Sequence, residues 1–222
     1  MKSFHATIAS LILLPVFNAA LAQPFAYISN QGSNSVSVIN TATNTVVATV
    51  PVGSSPYGVA ANAAGNRVYV TNSGGTSVSV IDTATATVAA IIGVGTAPNG
   101  IAVSPDGTRV YVANSSNSVS VINTTTNLVT ATVPTTGTTP FGVAVNPAGT
   151  RLYVTHNNSS NMNVIDTSTN SVVGNITLGT GLRGTAVLPD GTRVYAVDGL
   201  GNLWVINTST NTVVTAVLAG RT

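Results

Sequence analysis

The chain has 222 residues and a formal net charge of +2, built from six Arg, one Lys and five Asp, with no Glu and no Cys. The lack of Cys excludes a disulfide framework, a thiolate metal site and a lipid-acylated cysteine, and six scattered Arg exclude the dense basic stripe that nucleic acid requires. Thr, Ser, Asn, Val, Ala and Gly fill most of the remainder, while the usual surface-helix residues Glu and Lys are nearly missing, a balance that favours an all-β chain over a helical one.

In chain order, the first segment reads as a secretory signal peptide over residues 1–22. Lys2 supplies the positive charge, the stretch from Ile8 to Phe17 the apolar region, and Ala20-Leu21-Ala22 the cleavage site before Gln23. The apolar stretch is short for a bilayer span and is interrupted by Pro15 and Asn18. The expectation is an exported protein, periplasmic, surface-bound or secreted, with no membrane span after cleavage and with its folded domain over residues 23–222.

From there the chain repeats itself. Tyr27, Tyr69, Tyr111, Tyr153 and Tyr195 are spaced 42 residues apart, and Gly58, Gly100, Gly142 and Gly184 keep the same interval, as do Arg67, Arg109, Arg151 and Arg193. The unit beginning at Pro98 divides into four strand-like pieces: strand A (Gly100–Val103), strand B (Arg109–Asn114), strand C (Ser118–Asn123) and strand D (Leu128–Val133). Ser104-Pro105-Asp106-Gly107 makes the A–B turn, with Gly in the left-handed position. Asn123 caps the C–D turn and Asn127 tolerates positive φ there. Four short antiparallel strands per repeat of this length is the arithmetic of a β-propeller blade.

The first unit has no strand A before Tyr27. Four complete units begin near Pro56, Pro98, Pro140 and Leu182, and 19 strands are expected in all. The prediction is an all-β propeller of about five four-stranded blades, the first lacking its innermost strand, as a closed five-blade ring or an open arc. Trp204, the only Trp, replaces a small residue on strand C of the last unit. It is expected to fill the gap where the last blade meets the first blade or another subunit.

The runs Tyr69-Val-Thr-Asn72 and Tyr111-Val-Ala-Asn114, followed by Val-Ser-Val-Ile and preceded by Pro-x-Gly-x-Ala-Val-x-Pro-Asp-Gly, resemble the YVTN-type β-propeller repeat over nearly all of the chain past residue 22. The resemblance implies an extracytoplasmic propeller of the kind found in surface-layer and cell-envelope proteins, and no single conserved activity. Propellers of this type usually have about seven blades, and this chain departs from that number.

Past the signal peptide the chain holds one His, five Asp and no Glu. No metal-ligand spacing or phosphate loop appears, and the expectation is a protein without cofactor, metal site or catalytic residues. On the bottom face each repeated Arg has one acid nearby: Arg67 with Asp82, Arg109 with Asp106, Arg151 with Asp166 and Arg193 with Asp190. On the top face two positions vary while the scaffold repeats: Tyr57, Asn99, Phe141 and Arg183 in Pro-x-Gly, and Asn72, Asn114, His156 and Asp198 at the end of strand B. They are expected to pair within blades as Tyr57/Asn72, Asn99/Asn114, Phe141/His156 and Arg183/Asp198, and to form the candidate binding face. The function expected is that of an exported, non-enzymatic binding or structural module contacting a protein or an envelope glycan, with self-association through open blade ends as a further possibility. The alternative is a small propeller enzyme or ligand carrier using Arg183, His156 and Asp198.

Overall fold

A computed structural model describes residues 25–218. The expected signal peptide and its cleavage site lie outside the described residues. Nineteen strands form five antiparallel sheets, one per repeat. Blade 1 has three strands, β1 (Phe25–Asn30), β2 (Ser35–Asn40) and β3 (Thr45–Pro51). Blade 2 comprises β4 (Pro56–Ala61), β5 (Arg67–Asn72), β6 (Ser77–Asp82) and β7 (Thr87–Gly93). Blade 3 comprises β8 (Pro98–Val103), β9 (Arg109–Asn114), β10 (Ser118–Asn123) and β11 (Leu128–Pro134). Blade 4 comprises β12 (Pro140–Val145), β13 (Arg151–His156), β14 (Asn161–Asp166) and β15 (Ser171–Thr177). Blade 5 comprises β16 (Thr185–Val187), β17 (Arg193–Val197), β18 (Asn202–Asn207) and β19 (Thr212–Leu218). Strands pair in sequence order within each sheet. The 42-residue period and the four-strand unit are both as the sequence predicts.

The turns carry the backbone conformations that their residues require. Gly65, Gly107, Gly149 and Gly191 have positive φ in the A–B turns, and Asn44, Asn127, Asn170 and Asn211 have it in the C–D turns. Each strand C pairs with strand D through a β-bulge after its central Val, as between Val80 and Ile81, which adds local twist to the blade.

Consecutive blades pack face to face through apolar side chains. The face toward the following blade carries the repeated Tyr and alternate Val of strand C, and the opposite face carries alternate residues of strand B. Between blades 2 and 3, Tyr69, Val78, Val80 and Ile92 meet Ile101, Val110, Val112 and Ile122. Between blades 3 and 4, Tyr111, Val119, Val121 and Val133 meet Leu152, Val154 and Ile165. Fully burying one such side chain contributes about 1.5–3 kcal/mol, more than an exposed ion pair supplies, so these interfaces hold the array together.

At the inner edge the repeated Gly has a stereochemical cause. A Cβ on Gly58 would lie 2.4 Å from the Asn99 carbonyl oxygen, and one on Gly100 2.3 Å from that of Phe141. One on Gly142 would lie 2.1 Å from the Arg183 carbonyl oxygen. Only glycine lets the next blade's inner strand approach so closely. The Thr of the Tyr-Val-Thr-Asn run fastens the same junction: Thr71 Oγ1 donates to the Asn99 carbonyl at 2.7 Å and Thr155 Oγ1 to that of Arg183 at 2.6 Å. Ser29 does so to the Tyr57 carbonyl at 2.7 Å.

Inner strands of successive blades contact one another from β1 and β4 through β8 and β12 to β16. Among the described residues no packing of comparable extent joins blade 5 to blade 1. Of the two architectures expected, the described chain is the open arc.

Candidate functional site

The eight top-face residues separate into two sets. Tyr57 and Phe141, from blades 2 and 4, meet across blade 3, their rings edge-to-face with centroids 5.3 Å apart. Asn99, buried between them in sequence order, donates to Ser115 Oγ at 2.9 Å and accepts from Ser73 Oγ at 3.3 Å. Arg183 is exposed, and its carbonyl, rather than its guanidinium, makes the contacts with Thr155 and Gly142.

The second set turns into the blade interfaces. Asn72 Nδ2 donates to Ser77 and Ser79 at 2.9 and 3.0 Å, and Asn114 Nδ2 to Ser118 and Ser120 at 3.3 and 3.0 Å. Each rests against a glycine of the preceding D–A loop, where a Cβ on Gly53 or Gly95 would come within 2.4–2.6 Å of the Asn side chain. His156 lies against Gly137 in the same register, with Nδ1 on the Asn161 carbonyl at 3.1 Å and a buried Nε2 that has no partner. Burial lowers its pKa below the usual His value, so it is neutral at pH 7. Asp198 lies against Gly179 and accepts from Asn202 Nδ2, Trp204 Nε1 and the backbone N–H groups of Leu200 and Asn202. Burial alone would raise its pKa, but these four donors outweigh that and hold the carboxyl below its ordinary value.

The expected within-blade pairs do not form as written. Strand A is bulged after its Pro, so Asn72, Asn114 and His156 lie opposite Pro56, Pro98 and Pro140. His156 and Asp198 belong to different blade interfaces, and neither His156 nor Arg183 is among the partners of Asp198. Trp204 is also relocated. It packs into the cluster between blades 4 and 5, which Gly179 makes roomy enough, and its N–H is taken up by Asp198. It does not fill the end of the array.

On the bottom face two of the four expected ion pairs form. Arg67 meets Asp82 and Arg151 meets Asp166, each at 2.6 Å. In blades 3 and 5 strand C ends in Asn123 and Asn207, which cap the C–D turn through Oδ1 but bring no charge. Arg193 turns to the adjacent Thr192 carbonyl. Arg109 reaches across the blade boundary to the Thr167 carbonyl at 2.5 Å. Asp106 is held by Ser104 Oγ and by the N–H and Oγ1 of Thr108. Those hydrogen bonds, Ser104's foremost, keep its carboxyl below the ordinary value.

The result is a cleft of about 430 Å³ between blades 3 and 4. Asp106, Thr108, Arg109 and Tyr111 form one wall and Pro147 to Gly149 the other. Its size suits a small ligand. It offers a guanidinium that makes no direct ion pair and, in the neighbouring turn, an ionised acid that feels its charge, which can receive a carbonyl or carboxylate oxygen and a hydroxyl respectively. The sequence expectation overlooked this site. The signal available was Asn123, which leaves Arg109 without the strand-C acid that Arg67 and Arg151 have.

Three comparisons bear on this geometry. A protein-family model described as "Lactonase, 7-bladed beta-propeller" matches residues 83–179, a span that contains the whole cleft. Among solved structures, hydrazine synthase of Kuenenia stuttgartiensis is similar with a TM-score of 0.79 and 29% sequence identity, over 85% of this chain. This chain spans 61% of that one's length. No curated protein matches the sequence. The fold is that of a β-propeller. The family match, over residues 83–179, overturns the expectation of a non-enzyme and points to a lactonase-like propeller; among the described residues Asp and Arg carry all the formal charge.

Proposed function

We propose that the chain is an exported propeller of the cell envelope that binds and opens a small lactone in the cleft between blades 3 and 4. The observation that carries this reading is Arg109: alone among the strand-B arginines it crosses a blade boundary, and it does so at the rim of a cleft that falls wholly within the residues matching the lactonase family. A guanidinium beside the lactone carbonyl stabilises the oxyanion that develops as water attacks. Asp106, kept ionised by Ser104 and Thr108, orients that water and accepts from ligand hydroxyls. Its lowered pKa makes it a weak base, so electrostatic stabilisation by Arg109 carries most of the effect. The signal peptide expected from the sequence and the YVTN-type resemblance support the placement in the envelope.

The test is hydrolysis of a panel of sugar-derived lactones by the purified protein, followed by proton release. Arg109→Gln should lower the rate by about 10²-fold, the typical cost of losing one oxyanion donor, while Arg67→Gln should leave it unchanged. Equal rates for both variants, or no turnover of any lactone by the wild type, would reject the reading.

A further inference from the structure

The repeat leaves the two halves of one interface at opposite ends of the arc. The face of blade 5 that would meet a following blade carries Tyr195, Leu203, Val205 and Val217 at the positions of Tyr69, Val78, Val80 and Ile92 in blade 2. Inside the array this face is dry: Val50, Ile92, Val133 and Ile176 are each 4% exposed or less, whereas Val217 is 49% exposed. Blade 1 presents the opposite half. Its Ile28 occupies the position of Val70, Val112 and Val154, which are fully buried, yet Ile28 is 49% exposed. Two departures from the repeat make these ends suit each other. Val197, bulkier than the Ala113 of blade 3, stands where Thr71 and Thr155 donate to the next blade's inner-strand carbonyl. A hydroxyl there would need an inner strand opposite it, and blade 1 has none among the described residues. In place of that strand, Gly184, Ala186, Tyr195, Val197 and Leu203 line a shallow apolar hollow of about 340 Å³, large enough to receive an aliphatic side chain.

We infer that blade 5 of one copy docks on blade 1 of a second copy, head to tail, with Ile28 of the second copy seated in the hollow beside Val197. The occupant follows from the repeat: the partner face already made to fit this surface is the one the same chain carries at its other end. Such a contact is heterologous, so it propagates into a series or closes as a ring of several copies, and it does not stop at a two-fold dimer.

Light scattering coupled to size exclusion tests this with the purified protein and two variants, Val197→Asp and Ile28→Asp, each checked for native circular dichroism. The wild type should grow in mass with concentration. Each variant alone should remain monomeric, since each loses one of the two faces it needs. Mixing the two variants should give a species of two chains and nothing larger, because each retains the face the other lacks. A wild type that stays monomeric at every concentration would overturn the inference, meaning that something other than a second copy covers these faces. So would a dimer that survives Ile28→Asp, which would mean that blade 5 pairs with itself, or a mixture that fails to associate. If the charged variants do not fold, Val217→Ser and Ile28→Ser weaken the same faces more gently, and the mixture remains the deciding sample.

Discussion

Ala86 is where one residue breaks a local rule that its four counterparts obey. Its φ is +51°, in the company of Asn44, Asn127, Asn170 and Asn211 at +52° to +55°. Asn tolerates the left-handed region through local hydrogen bonding and Ala does not. Ala86→Asn should therefore raise stability by a few tenths to about 1 kcal/mol, read as a shift in the denaturation midpoint at unchanged slope. A lower midpoint would count against strain at that turn. His156 offers a second residue-scale test, by pH. Its folded pKa is depressed by burial, so the unfolded chain binds the proton more readily. The stability it contributes is complete above the unfolded value of about 6.5 and is lost as pH falls through that value toward the folded one. His156→Asn restores the residue of blades 1 to 3 and should flatten the stability profile between pH 7 and 5; an unchanged slope would place the titration elsewhere. The sequence showed that position 156 departs from the repeat. It could not show that the side chain points into an interface, because that depends on the bulge that shifts strand A against strand B.

For the strands and blades, the most informative residue is the Thr of the Tyr-Val-Thr-Asn run. Thr155 Oγ1 both accepts from the Gly142 N–H at 2.9 Å and donates to the Arg183 carbonyl. Thr155→Val keeps the shape and takes this partner away from the buried Gly142 N–H and the part-buried Arg183 carbonyl. It should cost about 1–3 kcal/mol, measured by chemical denaturation, and a loss under about 0.5 kcal/mol would mean that water replaces the hydroxyl. Strand boundaries and turn chemistry were legible in advance, since alternation and Pro-Asp-Gly or Asn turns are local signals. Contacts between blades were not. Arg109 was expected to meet Asp106 three residues away, yet its partner Thr167 lies 58 residues on. Trp204 was assigned to the correct strand but the wrong gap, because periodicity gives the face of a strand without saying how much room the neighbouring loop glycine provides.

Across the whole molecule, stability is distributed along the arc. Interior blades bury both faces and terminal blades one, so local opening should be easiest at the ends. Amide exchange should be slowest in β9 and β13, whose strand interiors are almost wholly buried, and fastest in β19, exposed along its length. Uniform protection through all five blades would argue for a single cooperative unit. Raising protein concentration should slow exchange in β17 and β18 at one end and in β1 at the other if copies associate through those ends.

The carbonyl-on-glycine junction also bears on inheritance. Because Gly58, Gly100 and Gly142 each receive the carbonyl of the next blade's inner strand in the same way, a recombination event that inserted or removed one whole repeat would join surfaces that already match. Neither flank would need a compensating substitution. Arc length can therefore change in a single genetic step without disturbing the packing of the blades that remain, whereas an insertion of any other size would break the register at once.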